Sequence, residues 1–240
     1  MSIMRTVTVS TPPVRMRELE ALLAAAGRAL AAETSKALRT MGREAAADVA
    51  RVFETLRQCG GDPGNLLVSY TRVDDLDLYT GMLTEQGFSV EERAEGLFTA
   101  TRGDAETLTL VDCPGGIAVL SADAGLIETS QHDFTVTAVA HVLEEAGYMV
   151  TVDRQAKGSS VKAVEGKAED AAVTVTVNAQ GTLALVDTRR ERRPKCDVIH
   201  QLVRRKLSEP SRQAPRRERR SRTREVVPQV RVRSRGGGRP

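Results

Sequence analysis

The chain has 240 residues, 40% hydrophobic and 28% charged but only 3% aromatic with no Trp, so one or two domains must be built on a core of Ala, Val and Leu. Its formal net charge of +3 hides a polarity: residues 189–240 carry 19 Lys+Arg against 5 Asp+Glu, while residues 1–188 carry 16 against 27. Three widely spaced cysteines (Cys59, Cys113 and Cys196) argue against a disulfide framework, no apolar run reaches the ~20 residues of a membrane span, and no secretory signal is visible, so the expectation is a cytoplasmic protein.

The first segment, 1–13, alternates over Thr6–Ser10 as a short strand does and then meets Pro12 and Pro13. Residues 14–59 are proline-free from Val14 to Gln58 and rich in Ala, Leu, Arg and Glu, which predicts helix. Leu30, Thr34, Leu38, Met41, Ala45, Val49, Val52 and Leu56 follow spacings of 3 and 4, while Met16, Leu19, Leu23, Ala26 and Leu30 approach a heptad. Two arrangements fit: one long helix associating through its small-residue stripe in a coiled coil, or a hairpin turning near Glu33–Ser35 with Ser35 as cap. Gly27 and Gly42 weaken a continuous rod by about 1 kcal/mol each relative to Ala, and Gly60-Gly61-Asp62-Pro63-Gly64 closes the region.

The most informative feature is an internal repeat. Leu83-Thr84-Glu85-Gln86-Gly87-Phe88 matches Leu143-Glu144-Glu145-Ala146-Gly147-Tyr148 at an offset of 60, and Leu108–Leu110 with Gly116 matches Val173–Val175 with Gly181 at an offset of 65. In both copies an amphipathic helix ends at a glycine suited to a left-handed C-terminal cap, and an aromatic residue opens a strand. Strands are then predicted at Leu97–Thr101, Leu108–Asp112 and Ile117–Ser121, and at Val161–Val164, Val173–Val177 and Thr182–Val186, with hairpin turns at Pro114–Gly116 and Asn178–Gly181. The fold class expected is α+β: tandem αββββ units at 65–124 and 130–188, each with one helix on one face of a small antiparallel sheet, the two sheets joined edge to edge. A basic linker at Arg189–Pro194 leads to a C-terminal helix within 195–208, and the Arg, Ser, Pro and Gly of 209–240 are expected to be disordered.

That tail is the one candidate site, holding 11 Arg and 3 Glu between Glu209 and Pro240. Arg216, Arg217, Arg219, Arg220, Arg222, Arg224, Arg231, Arg233 and Arg235 are the candidate nucleic-acid-binding residues, because guanidinium groups fork onto phosphates whatever the base sequence. No catalytic, metal or cofactor residues are expected. His141 with Glu144 and Glu145 lacks the second His of a zinc-protease helix. His132-Asp133 reads as a helix N-terminus, and Asp74, Asp75 and Asp77 as capping residues. Cys113, beside a turn, reads as an inert small hydrophobe, and Gly166-Lys167 lacks the rest of a phosphate loop.

At Val73–Phe88 and Ile117–Ala122 the first unit resembles a small uncharacterised family of cyanobacterial and plastid hypothetical proteins, whose helix also opens at Asp and ends in Leu-x-x-x-Gly-aromatic. Proteins of that family are often encoded near AAA+ ATPases, sometimes with a still smaller partner, whose pattern of two strands around a Gly and then Cys before a helix is similar to Val173–Val177, Gly181 and Lys195-Cys196; together the likeness covers roughly 66–123 and 172–207. It departs at the strand ends, which are aromatic-rich in that family and not here. The resemblance implies a protein-partner role, with an AAA+ ATPase as partner, and no catalytic residues. The functional expectation is a non-enzymatic interaction or adaptor module with an anion-seeking basic tail. The alternative is a nucleic-acid-associated protein binding nonspecifically through that tail.

Overall fold

A computed structural model describes residues 5–24, 32–58, 63–103, 106–155, 158–164, 173–188 and 201–207. The chain divides into two units, Met1–Pro210 and Ser211–Pro240, and every described residue belongs to the first. The second unit, with all nine candidate arginines, lies outside the described residues, as do Cys59, Gly166-Lys167 and Cys196.

The protein is an α+β structure with two antiparallel sheets. In chain order the elements are β1 (Arg5–Thr8), β2 (Val14–Arg15), α1 (Met16–Ala24), α2 (Ala32–Met41), α3 (Arg43–Gln58), a short 3-10 turn at Pro63–Asn65, β3 (Leu67–Thr71) and α4 (Leu76–Glu85). There follow β4 (Ser89–Ala94), β5 (Leu97–Arg102), β6 (Glu106–Cys113), β7 (Gly116–Ser121), α5 (Ala124–Glu145), β8 (Met149–Gln155), β9 (Gly158–Val164), β10 (Val173–Asn178) and β11 (Leu183–Thr188). Residues 201–207 are helical. The first sheet runs β2-β3-β7-β6-β5-β4 and the second β1-β11-β10-β9-β8.

The period-2 alternation of the first sheet sends its side chains into two cores. Val68, Tyr70, Val111, Cys113, Ala118 and Leu120 pack under Met16 and Leu19 of α1, Met41 of α2 and Val49 and Phe53 of α3. The intervening residues Ala100, Leu108, Leu110, Ile117 and Val119 face the other way, into a core shared with Tyr79 and Leu83 of α4, Phe134 and Val139 of α5, and Val161, Val175 and Val177 of the second sheet. The layers therefore run helices α1–α3, first sheet, α4 with α5, second sheet. Val203 and Leu207 of the last helical segment are buried in the same second core.

Three sequence expectations are corrected. Neither a single rod nor a hairpin turning at Glu33–Ser35 forms: those residues lie within α2, and the break comes at Gly42, whose φ of +84° suits only glycine and ends α2 before α3 begins. The two sheets are not joined edge to edge; they face each other across α4 and α5. Consequently α5 is not a one-faced amphipathic helix. Ile127, Ser130, Gln131, Phe134, Thr135, Val136 and Ala138 are all buried along it, because both sheets cover it. Third, His132-Asp133 does not start a helix. Asp123 does, its side chain accepting hydrogen bonds from the N–H groups of Gly125 (2.8 Å) and Leu126 (3.3 Å), and α5 continues through the polar run Thr129–Asp133.

Other local expectations hold. Asp75 caps α4, accepting from Leu78 N–H at 3.0 Å. Gly87 (φ +86°) and Gly147 (φ +85°) end α4 and α5 in the left-handed conformation. The two ends close alike: Phe88 N–H donates to Leu83 C=O and Gly87 N–H to Thr84 C=O, while Tyr148 N–H donates to Leu143 C=O and Gly147 N–H to Glu144 C=O.

The strand at the N-terminus ties the two sheets together. β1 pairs with β11 at the edge of the second sheet, and β2 pairs with β3 at the edge of the first. Between them, buried Ser10 donates its hydroxyl proton to Gly181 C=O at 3.1 Å, Arg72 N–H donates to Val9 C=O at 2.9 Å, and Thr11 N–H donates to Tyr70 C=O at 2.8 Å.

Candidate functional site

A cleft of about 280 Å³ opens where the two sheets and α5 meet. Gln86, at the end of α4, and Phe88, before β4, form one side. Arg102 ends β5, Arg154 lies near the end of β8, and Leu126, Thr129, Ser130 and Asp133 come from the first half of α5. Nothing in the local sequence signals this grouping. Only the packing of α5 between two sheets brings positions 86, 102, 133 and 154 to one place.

Asp133 organises the cleft. Its Oδ2 accepts from Gln86 Nε2 at 2.8 Å, and its Oδ1 accepts from Arg154 Nη1 at 3.1 Å and stands 3.4 Å from His132 Nδ1. Burial opposes ionisation of this carboxyl, but the His132 hydrogen bond, the Arg154 charge and the Gln86 amide outweigh it, and its pKa falls below the ordinary value. Asp133 is thus an ionised, saturated acceptor, a poor general base and a good anchor.

Arg102 is held on three sides. Its Nε donates to Glu106, its Nη1 donates to Gln86 C=O at 3.2 Å, and its guanidinium lies 4.5 Å from the centroid of the Phe88 ring. The hydrogen bond from Arg102 holds the Glu106 carboxyl below its usual pKa. Beneath the cleft, the hydroxyls of Tyr79 and Ser130 share a hydrogen bond of 2.8 Å, and the Tyr79 and Phe134 rings stack with centroids 4.0 Å apart. Burial pushes the Tyr79 phenol well up, so it stays protonated and serves as structure.

The remaining residues singled out from the sequence fall elsewhere. His141 Nε2 lies 3.3 Å from Glu145 Oε1 on the half-exposed side of α5, and Lys206 reaches the same carboxylate at 3.6 Å. Among the described residues, no group of three or more His, Cys, Asp and Glu side chains is placed to hold a metal ion. Cys113 is buried at the end of β6. No described helix is long and apolar enough to cross a membrane.

The two outer strands on this side of the molecule differ in character. β4, which among the described residues pairs with β5 alone, exposes Glu91, Glu92, Arg93 and Glu95 along and just beyond it. β8, which among the described residues pairs with β9 alone, carries Met149 at 69% exposure and Val152 at 38%, the exposed large hydrophobics among those residues, and exposes Asp153 and Arg154 as well. Set against known proteins, the chain matches no family model and no curated protein.

Proposed function

We propose that this chain is a non-enzymatic protein-interaction module, an adaptor that takes an extended segment of a protein partner along β8. The observation that carries the reading is the contrast between the two outer strands. A free strand edge presents unpaired N–H and C=O groups that template a further strand, and charged residues ordinarily guard it. β4 exposes charged residues and no large apolar one, whereas β8, beside its exposed Asp153 and Arg154, leaves Met149 and Val152 in water. Main-chain pairing to such an edge supplies affinity, and the side chains at alternate positions supply selectivity.

The matching ends of α4 and α5, and the matching strand orders that follow them, support a second part of the proposal: the body is a duplicated αββββ unit. Duplication supplies two sheets with equivalent outer strands, of which β8 alone keeps large apolar side chains exposed among the described residues. An AAA+ ATPase, the partner implied by the resemblance at Val73–Phe88, is one protein whose extended segment this edge would take. The test is stoichiometric co-purification with the tagged full chain, compared with its Met149→Asp and Val152→Asp variants. Retention of a partner by the parent chain and its loss from both variants, with folding intact by circular dichroism, supports the reading. Equal retention by all three removes it.

The charge polarity of the chain favours a second reading, nonspecific nucleic-acid association through Arg216–Arg235. Counterion release makes such binding fall steeply with salt, and removal of residues 209–240 abolishes it. A labelled duplex titrated across a salt series with the full chain and with residues 1–208 separates this reading from the first.

A further inference from the structure

We infer that the cleft between Phe88, Arg102 and Arg154 is a binding site for a monovalent carboxylate carrying an apolar body, an inference that does not rest on a partner strand along β8. The argument begins with donors. A guanidinium has five N–H groups in a fixed fork. Arg102 uses Nε and Nη1, and Arg154 uses Nη1; Arg102 Nη2 and Arg154 Nε and Nη2 make no hydrogen bond to the described residues. Two guanidiniums with unused donors thus border one concave space, and paired N–H donors of this kind match the two oxygens of a carboxylate.

The charge balance selects the ligand class. Arg102 is paired with Glu106 and Arg154 with Asp133, so the four groups together are neutral. A polyanion such as a phosphate monoester gains little field here, whereas one carboxylate gains directed hydrogen bonds without demanding a large positive potential. Phe88 and Leu126 give the cleft an apolar stretch beside the polar Gln86, Thr129, Ser130 and Asp133. Its 280 Å³ equals about nine waters' share of liquid volume, room for a phenyl or short aliphatic group behind the carboxylate.

The arrangement is also built in advance. Phe88, Glu106 and the Gln86 carbonyl fix Arg102 before any ligand arrives, and Asp133 fixes Arg154 while Gln86 Nε2 occupies its other oxygen. Preorganised donors lose little conformational freedom on binding. Asp133 is therefore a positioning residue that holds Arg154 toward the cleft. Such a carboxylate arrives either as a free small acid or as the C-terminal carboxylate of a polypeptide, and the chemistry recognised is the same.

The test titrates the full chain, labelled with nitrogen-15, with 3-phenylpropionate, with its neutral amide, and with acetyl-Ala-Ala-Phe bearing a free or an amidated C-terminus. The expected result is saturable shifts of backbone amides near Gln86–Phe88 and Thr129–Asp133 with at least one free acid, weakened roughly ten-fold or more when that acid is made an amide. Arg154→Gln lowers affinity by a similar factor, as does Arg102→Gln if it folds, whereas Arg93→Gln, on a guanidinium paired with Glu91 outside the cleft, leaves it unchanged. Tighter binding of the peptide acid assigns the site to a polypeptide terminus, and tighter binding of phenylpropionate assigns it to a small metabolite. No saturable shift up to 20 mM (about 2 kcal/mol of binding at most), equal binding of acid and amide, or affinity indifferent to Arg154→Gln overturns the inference.

Discussion

The side-chain nitrogen of Gln86 stands 2.8 Å from Oδ2 of Asp133 and joins the end of α4 to the middle of α5. Arg154 reaches the other oxygen of the same carboxylate from β8. One partly buried acid thus links the first helix–strand junction, the central helix and the second sheet.

This linkage sets an acid sensitivity. The Asp133 pKa is depressed in the folded chain, so the stability it contributes is fully present above the unfolded value, close to 3.8, and is lost as pH falls through the folded value. The urea midpoint of the parent chain should fall as pH is lowered from 6 towards 3. In Asp133→Asn the midpoint is lower at pH 6 and falls less over the same range. An unchanged pH slope in the variant contradicts the role given to Asp133.

Gly181 and Gly103 form a matched pair. Both have positive φ, +65° and +62°, but a Cβ on Gly181 meets the backbone nitrogen of His132 at 2.5 Å, whereas nothing lies within 4 Å of one on Gly103. Gly103→Ala should cost about 1 kcal/mol for the left-handed conformation alone. Gly181→Ala should cost roughly 3 kcal/mol or more, because the turn must lift off α5 and disturb the Gly181 carbonyl that accepts from Ser10 and Thr135. Denaturant unfolding measures both; equal costs contradict the close packing of this turn on the helix.

The Tyr79–Ser130 hydroxyl pair is buried and closed on itself. Tyr79→Phe and Ser130→Ala should each cost about 1–2 kcal/mol, because each strands the other hydroxyl, and the double variant should cost clearly less than their sum. A double-mutant cycle by urea denaturation reads the coupling. Strict additivity shows that the two hydroxyls do not depend on each other.

Much of this architecture was legible locally. The glycine-aromatic closures at Gly87-Phe88 and Gly147-Tyr148, the strands between Leu97 and Ser121, and the cap at Asp75 all follow from short-range sequence. The rest depended on what covers each element. The same polar run, Thr129–Asp133, signals a helix start when α5 is imagined on a surface and a helix interior once two sheets enclose it. There Ser130 finds Tyr79, Thr135 donates to the Gly181 carbonyl, and Asp133 finds Gln86 and Arg154. The cleft was illegible for the same reason, since its three charged residues come from the end of β5, the middle of α5 and the end of β8.

Residues 5–11 hold the edges of both sheets, with Val7 and Val9 buried in the central core. Deleting residues 1–10 should remove roughly 3 kcal/mol or more, from two buried valines and a full strand ladder, and should expose β11 to aggregation. Differential scanning calorimetry with light scattering checks it; an unchanged midpoint contradicts the strap.

The most direct measurement of the interaction reading is site-specific photo-crosslinking in the cells that make the protein, with a benzophenone side chain placed at Met149, at Val152 and, as a control, at exposed Thr176 on the interior strand β10. The account predicts one discrete protein adduct shared by the two β8 positions and absent from position 176. No adduct from β8, or the same adducts from all three positions, contradicts it.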